Sequence, residues 1–215
     1  ILRDRQYTSS KDEKRSLEIS KNCISGKVYN ARWVLERAIR DHAMQIDKER
    51  VKVASLQLKT FLQYIQNAES KEQLRGYEGE AASIYFSVFD ELILQQKKDF
   101  SFHGRSKRPP MDNVNAMLSF VYTLLTNQIT SALESVGLDP CVGYLHTERP
   151  GRASLASDLI EEFRAVYADR FVLSLINKKI VNKKNFTKKE NGAVLMDDDS
   201  RKKLLMEWQN KKKEV

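Results

Sequence analysis

Cysteine, proline and glycine are scarce in this chain, and each scarcity removes a class of protein. Two cysteines, Cys23 and Cys141, in 215 residues are too few for a disulfide framework. They also lack the paired spacings that bind structural zinc. A reducing, cytoplasmic setting is the expectation that follows. Four prolines and eight glycines exclude collagen-like and low-complexity composition. No uncharged apolar run reaches the roughly 18 residues that a membrane-spanning helix needs. The opening ILRDRQYTSS carries charges where a signal peptide requires an apolar stretch, and it has no initiator Met, so the chain reads as a piece of a longer protein. P-loop, nucleophile-elbow and zinc-finger patterns are absent as well.

The chain is 41% hydrophobic and 31% charged, enough apolar material for a substantial core. Its net charge is +8 and its isoelectric point is near 9.4, which bears on partners rather than on fold. The excess is local. Residues 170–215 hold 13 Lys and Arg against 6 Asp and Glu, whereas residues 1–169 hold 24 against 23. Lysine pairs such as Lys183-Lys184 can neutralise phosphates or simply face solvent.

Apolar residues recur at helical spacing through most of the chain. Leu17, Ile24, Val28, Ala31, Leu35 and Ala38 predict one long helix from about 12 to 44. Leu56, Phe61, Leu62 and Ile65 predict a second over 51–68. Leu74, Ala81, Ile84, Tyr85, Val88 and Leu92 predict a third over 70–94. The segment 99–110, ending in Pro109-Pro110, breaks the pattern. A helix over 113–136 follows and stops at Gly137 in a C-cap position. Beyond a loop come a helix over about 155–169, a short one near 172–179, a hairpin centred on Asn191-Gly192 and a charged helix from Ser200. The expectation is a mostly α fold, a compact multi-helix domain over 12–215 with one small β-hairpin, with residues 1–11 as the end of a linker.

Two segments carry chemistry. In RGYEGEAA, residues 75–82, Gly76 and Gly79 each cost about 1 kcal/mol relative to Ala in a helix interior, which predicts a close backbone approach at these positions. Between them Glu78 would lie in a recess, with Glu80 about 200° further round the helix. In GYLHTERPGRASLASDLIEEFR, residues 143–164, His146 precedes a helix that carries Asp158 and Glu161 at i and i+3 on one face. Leu155, Leu159, Phe163 and Val166 form the stripe expected to meet the core, and Glu162 lies one step further round, on the surface. Imidazole and carboxylates together suit a hard or borderline divalent ion such as Mg²⁺ or Mn²⁺. The alternative is a helix-capping His and acids paired with Arg. Arginines crowd the same segments: Arg75, Arg105, Arg108, Arg149, Arg152 and Arg164. With Lys183 and Lys184 they are the groups expected to hold phosphates. His42 and His103 have no acid partners in sequence and read as structural or surface residues. Tyr85, Phe86, Phe89, Phe120 and Tyr122 read as core.

Taken in order, GYEGEAASIYF, FHGRSKRPPMDNVNAMLSFVYTLL and GLDPCVGYLHTERPGRASLASDLIEEFR resemble the CRISPR-associated adaptation integrase, the first-numbered of the CRISPR-associated proteins, and most of all its type I-C branch. The likeness runs over about residues 12–210. It implies a helical catalytic domain with one divalent metal, Mg²⁺ or Mn²⁺, held by Glu78, His146 and Glu161. Asp158 would stand behind them or serve as an alternate ligand. It also implies a β-rich N-terminal domain, which has no counterpart here, and a homodimer. The implied activity is DNA integrase and endonuclease: a 3′-hydroxyl attacks a phosphodiester at a repeat boundary and inserts a spacer into a CRISPR array. The implied partners are protospacer and repeat DNA, a small bridging CRISPR-associated dimer and an iron-sulfur CRISPR-associated nuclease. The competing reading is a non-catalytic helical DNA-binding or scaffolding module.

Overall fold

A computed structural model describes residues 1–146 and 149–213. Eight α-helices and one two-stranded sheet account for most of them: α1 Leu2–Lys11, α2 Glu13–His42, α3 Lys48–Gln66, α4 Lys71–Ser87, α5 Asn113–Ser135, α6 Ser154–Phe163, α7 Arg170–Asn177 and α8 Asp198–Lys213, with β1 Phe186–Lys188 and β2 Val194–Met196. Among the described residues no helix is long and apolar enough to cross a membrane.

Local chemistry sets the helix starts. Asp12, Asp47, Ser70 and Asp112 each accept a backbone N–H of the first turn through their side chains, which satisfies donors that the helix leaves open. Asp112, rather than the Pro109-Pro110 pair, therefore fixes the start of α5. Gly137 ends that helix at φ +83°, a conformation that suits glycine.

The core runs along α2, which packs on α3, α4 and α6. Ile24, Val28 and Leu35 of α2 meet Leu58, Leu74, Met117, Leu118 and Ile160 in one cluster. Tyr85, Phe89 and Tyr122 are buried as expected. In α3 the buried stripe is Val51, Ala54, Leu58 and Ile65, so Leu56 is 50% exposed. The hairpin pairs Thr187 with Leu195 in antiparallel register, with Gly192 of the turn at φ +82°. Val194 N–H donates to the Pro110 carbonyl at 2.9 Å and ties the hairpin to the 103–110 segment.

Two expectations need correction. Residues 1–11, expected as the end of a linker, include a helix of their own, α1 Leu2–Lys11. Its buried Gln6 donates from Nε2 to the carbonyls of Asp139 (2.8 Å) and Val142 (3.1 Å) and accepts from Asp139 N–H through Oε1. The helix expected over 155–169 is also not uniform, because α6 passes at Arg164 into π-helix over Arg164–Asp169 before α7 begins. Within α6 itself the buried face runs through Ser154, Asp158 and Glu161, which leaves Phe163 44% exposed. Since α6 is packed between α2 and α5, the stripe that carries the acids is itself interior.

Candidate functional site: an acidic pair, an imidazole and a cationic groove

The loop before α6 is held from four sides. Ser16 Oγ donates to the Tyr144 carbonyl at 3.2 Å, and Arg75 Nη2 to the Leu145 carbonyl at 2.7 Å. Gln6 holds the preceding turn. From α6, Asp158 accepts Tyr144 N–H (2.6 Å) and Leu145 N–H (3.0 Å) on Oδ2, and His146 N–H (3.0 Å) on Oδ1. His146 Nδ1 lies 2.7 Å from the same Oδ1. An imidazole held at Nδ1 by a carboxylate has its orientation fixed and leaves Nε2 as the ligating or proton-carrying atom. Gly143 permits the approach, since a Cβ there would lie 2.8 Å from the Ser154 backbone carbon and 2.9 Å from Asp158 Oδ2.

Glu161 lies three residues beyond Asp158 on α6, with its side chain 5% exposed. Arg164 Nη2 stands 2.9 Å from Oε1, and Lys27 Nζ from α2 stands 2.7 Å from Oε2. The same Lys27 ammonium bonds Oε1 of Glu78 on α4. Burial works to raise the Glu161 pKa, but Lys27 and Arg164 outweigh it and hold the carboxyl below its usual range. Arg164 shows the converse: desolvation disfavours its charge, and Glu161 together with Tyr122 and Asp169 more than restores it.

Glu78 and Lys27 open on a groove of about 450 Å³ lined also by Gly79, His103, Arg105, Lys107 and Arg164, among others. Burial, then the charges of Arg164, Arg105 and Lys27, lower the Lys107 pKa. Arg105 donates to the Ser106 carbonyl at 3.3 Å and to Asn115 Oδ1. Its guanidinium and that of Arg164 lie 5.3 and 4.9 Å from the Tyr122 ring centre. Gly76 and Gly79 are not sites of close backbone approach: a Cβ at either meets nothing within 4 Å. They leave the helix surface beside Glu78 open.

Thus Glu78 and Glu161 converge on one ammonium, and His146 is fixed to Asp158 one turn before Glu161. Among the described residues no three His, Cys, Asp or Glu side chains form a group that could hold a metal, and Lys27 bridges the two glutamates. Two carboxylates and an imidazole are nonetheless donors of the type that a hard or borderline divalent ion takes. Glu161 Oε2 is buried and faces the Lys27 ammonium at 2.7 Å. Arg75 serves the His146 loop and pairs with Glu72, and Glu80 is exposed. Of the other cationic residues singled out in the sequence, Arg105 reaches the groove. Arg108 is exposed, and Arg149 lines a separate cleft with Tyr7 and Asp139. Arg152 is half-buried. Lys183 stands 3.5 Å from Asp99, and Lys184 is exposed. The Thr147-Glu148 part of the His146 motif lies outside the described residues. Lys27, Lys107, Asn115 and Gly143 escape the sequence reading, as does the groove position of His103.

The profile of the family described as CRISPR associated protein Cas1 matches residues 1–210. The chain belongs to the Cas1 family. CRISPR-associated endonuclease Cas1 1 of Chlorobaculum tepidum is 49% identical over 214 residues, all of this chain and 62% of that protein. A Cas4 exonuclease/Cas1 endonuclease fusion of Rhodospirillum rubrum is 40% identical over 90% of this chain and 33% of its own length. Among solved structures, a casposase bound to its integration product superposes with a TM-score of 0.83 at 29% identity, over 97% of this chain and 56% of that one. A Cas6-RT-Cas1–Cas2 complex shares the fold, with a TM-score of 0.83 at 23% identity over 96% of this chain and 60% of its own. The chain therefore spans less than two-thirds of the Chlorobaculum relative's length.

Proposed function

We propose that this chain carries the catalytic site of a metal-dependent DNA integrase and endonuclease, of the type I-C branch, that inserts spacers into a CRISPR array. The observation that carries this reading is the meeting of Glu78 and Glu161, from separate helices, on one cation beside a carboxylate-held imidazole and a groove lined by Arg105, Lys107 and Arg164. The casposase resemblance supports it, because that protein is seen with an integration product.

Glu78, His146 through Nε2 and Glu161 through Oε2 would hold Mg²⁺ or Mn²⁺. Such an ion, when bound, polarises a phosphoryl oxygen and activates the attacking hydroxyl. Asp158 keeps the His146 ring in one orientation. Arg105, Lys107 and Arg164 balance the phosphate charge, and the open surface at Gly76 and Gly79 admits the backbone of the DNA. A 3′-hydroxyl of the incoming DNA attacks the repeat-boundary phosphorus as the bond to the departing 3′ oxygen breaks. One P–O bond forms and one breaks, the hydroxyl proton goes to solvent and the departing oxygen takes one up. No covalent enzyme intermediate is required. The reverse reaction on branched DNA uses the same groups.

Protospacer and repeat DNA are the proposed substrates, and a homodimer bridged by a Cas2-type dimer the proposed assembly, in line with the Cas1–Cas2 complex that shares the fold. An iron-sulfur Cas4-type nuclease is the further proposed partner, and the Cas4/Cas1 fusion supports it. The test is Mn²⁺-dependent strand transfer on a branched duplex. Glu78→Ala should lower it by about 100-fold or more, and EDTA should abolish it. Undiminished transfer by either would refute the assignment.

A further inference from the structure

Lys27 has no place in the reaction above, yet it stands between the two glutamates. Its side chain is 13% exposed, and its ammonium contacts both Glu78 and, at 2.7 Å, Glu161. Two carboxylates brought together by α4 and α6, one of them buried, repel unless a positive charge stands between them. Arg164 forms an ion pair with Glu161, whereas the Lys27 ammonium contacts both carboxylates and so joins the pair. It therefore stands at the point that a shared divalent ion would claim.

The surroundings make this position exchangeable. The helix that carries Lys27 is fixed: Gly26 lets Glu162 pack so closely that a Cβ there would lie 2.8 Å from its Cγ, and Asn30 Nδ2 donates to the Glu162 carbonyl at 2.8 Å. The side chain, by contrast, is a compact ammonium on a flexible four-carbon stem, and it already lines the groove. The groove that it lines also holds Arg105 and Lys107 and encloses about 450 Å³.

We propose that Lys27 is an exchangeable counter-ion, which holds Glu78 and Glu161 together until a divalent cation binds and then turns into the groove to contact a DNA phosphate. The inference rests on the metal-dependent reading above. Lys27→Met keeps the length and removes the charge. With no DNA present, this variant should bind Mn²⁺ about tenfold more tightly than the unaltered chain, since no internal cation competes. With Mn²⁺ and DNA present, the log-log salt slope of duplex binding should be smaller by about 0.9, one phosphate contact. Equal or weaker Mn²⁺ affinity, or an unchanged slope, overturns the inference. Should the variant not fold, the unaltered chain decides: acetylation of Lys27, read by peptide mass spectrometry, should quicken about threefold or more on Mn²⁺ addition as the amine leaves its acid partners, and unchanged labelling overturns it. Failure to bind Mn²⁺ at all by the unaltered chain removes the metal-dependent reading as well, whereas Mn²⁺ binding with unchanged Lys27 behaviour removes this inference alone.

Discussion

Asp158 has no oxygen to spare for a ligand. Oδ2 takes the Tyr144 and Leu145 N–H groups and Oδ1 takes the His146 N–H and faces Nδ1, so of Asp158 and Glu161 it is Glu161 whose Oε2 takes no backbone donor and faces the Lys27 ammonium. Asp158 is thus a positioning residue for the imidazole and an anchor for the loop. Asp158→Asn replaces one acceptor oxygen by an NH₂ group that confronts N–H donors. The expected result is a loss of roughly 3 kcal/mol of stability in urea unfolding and strand transfer lower by about 10- to 100-fold. Wild-type stability and wild-type transfer together would contradict this role. Nothing in the spacing of Asp158 and Glu161 separates these duties, which depend on where the loop's backbone donors point.

At the scale of elements, the glycines of the two motif segments behave oppositely. Gly143→Ala forces a Cβ to within 2.8 Å of the Ser154 backbone carbon, and backbone cannot yield, so the His146 loop must lift from α6 at a cost of about 1–3 kcal/mol. Gly79→Ala meets nothing within 4 Å and should raise stability by about 1 kcal/mol through helix propensity, while it narrows the groove and slows strand transfer. Thermal melts of the two variants check the contrast, and equal shifts would show that neither space is used as described. Helix periodicity made α2 to α5 legible in sequence, because their apolar residues return every third or fourth position. The exposure of Phe163 was not legible, since the buried face of α6 carries Ser154, Asp158 and Glu161, which hydrophobic spacing does not count. Lys27 was equally hidden. It is a single lysine on a long helix, and its partner Glu78 is 51 residues away, so only the packing of α2 against α4 and α6 discloses it.

At the scale of the whole molecule, the buried polar layer beneath the groove should show in the pH dependence of folding. Asp169 is 1% exposed and accepts the Tyr122 hydroxyl at 2.6 Å. Burial pushes its pKa from 3.8 up to about 6, against the opposing pull of the Tyr122 and Tyr85 hydroxyls, Arg164 and Arg105. A carboxyl whose native pKa exceeds its unfolded value binds its proton more tightly when folded. Its contribution therefore favours the native state at low pH and is lost as pH rises from about 4 through 6. Glu161, with its pKa lowered, acts in the opposite sense, so the total stability curve mixes the two. The difference between the unaltered chain and Asp169→Asn isolates the first, because Asn still accepts from Tyr122 and does not titrate. In urea unfolding the stability of the unaltered chain relative to this variant should be greatest near pH 4 and fall by roughly 3 kcal/mol by pH 7. A difference that stays level across that range would mean that Asp169 titrates alike in both states. In that case the carboxylate beneath Arg105 and Arg164 would have to be solvated as it is in the unfolded chain, contrary to its burial.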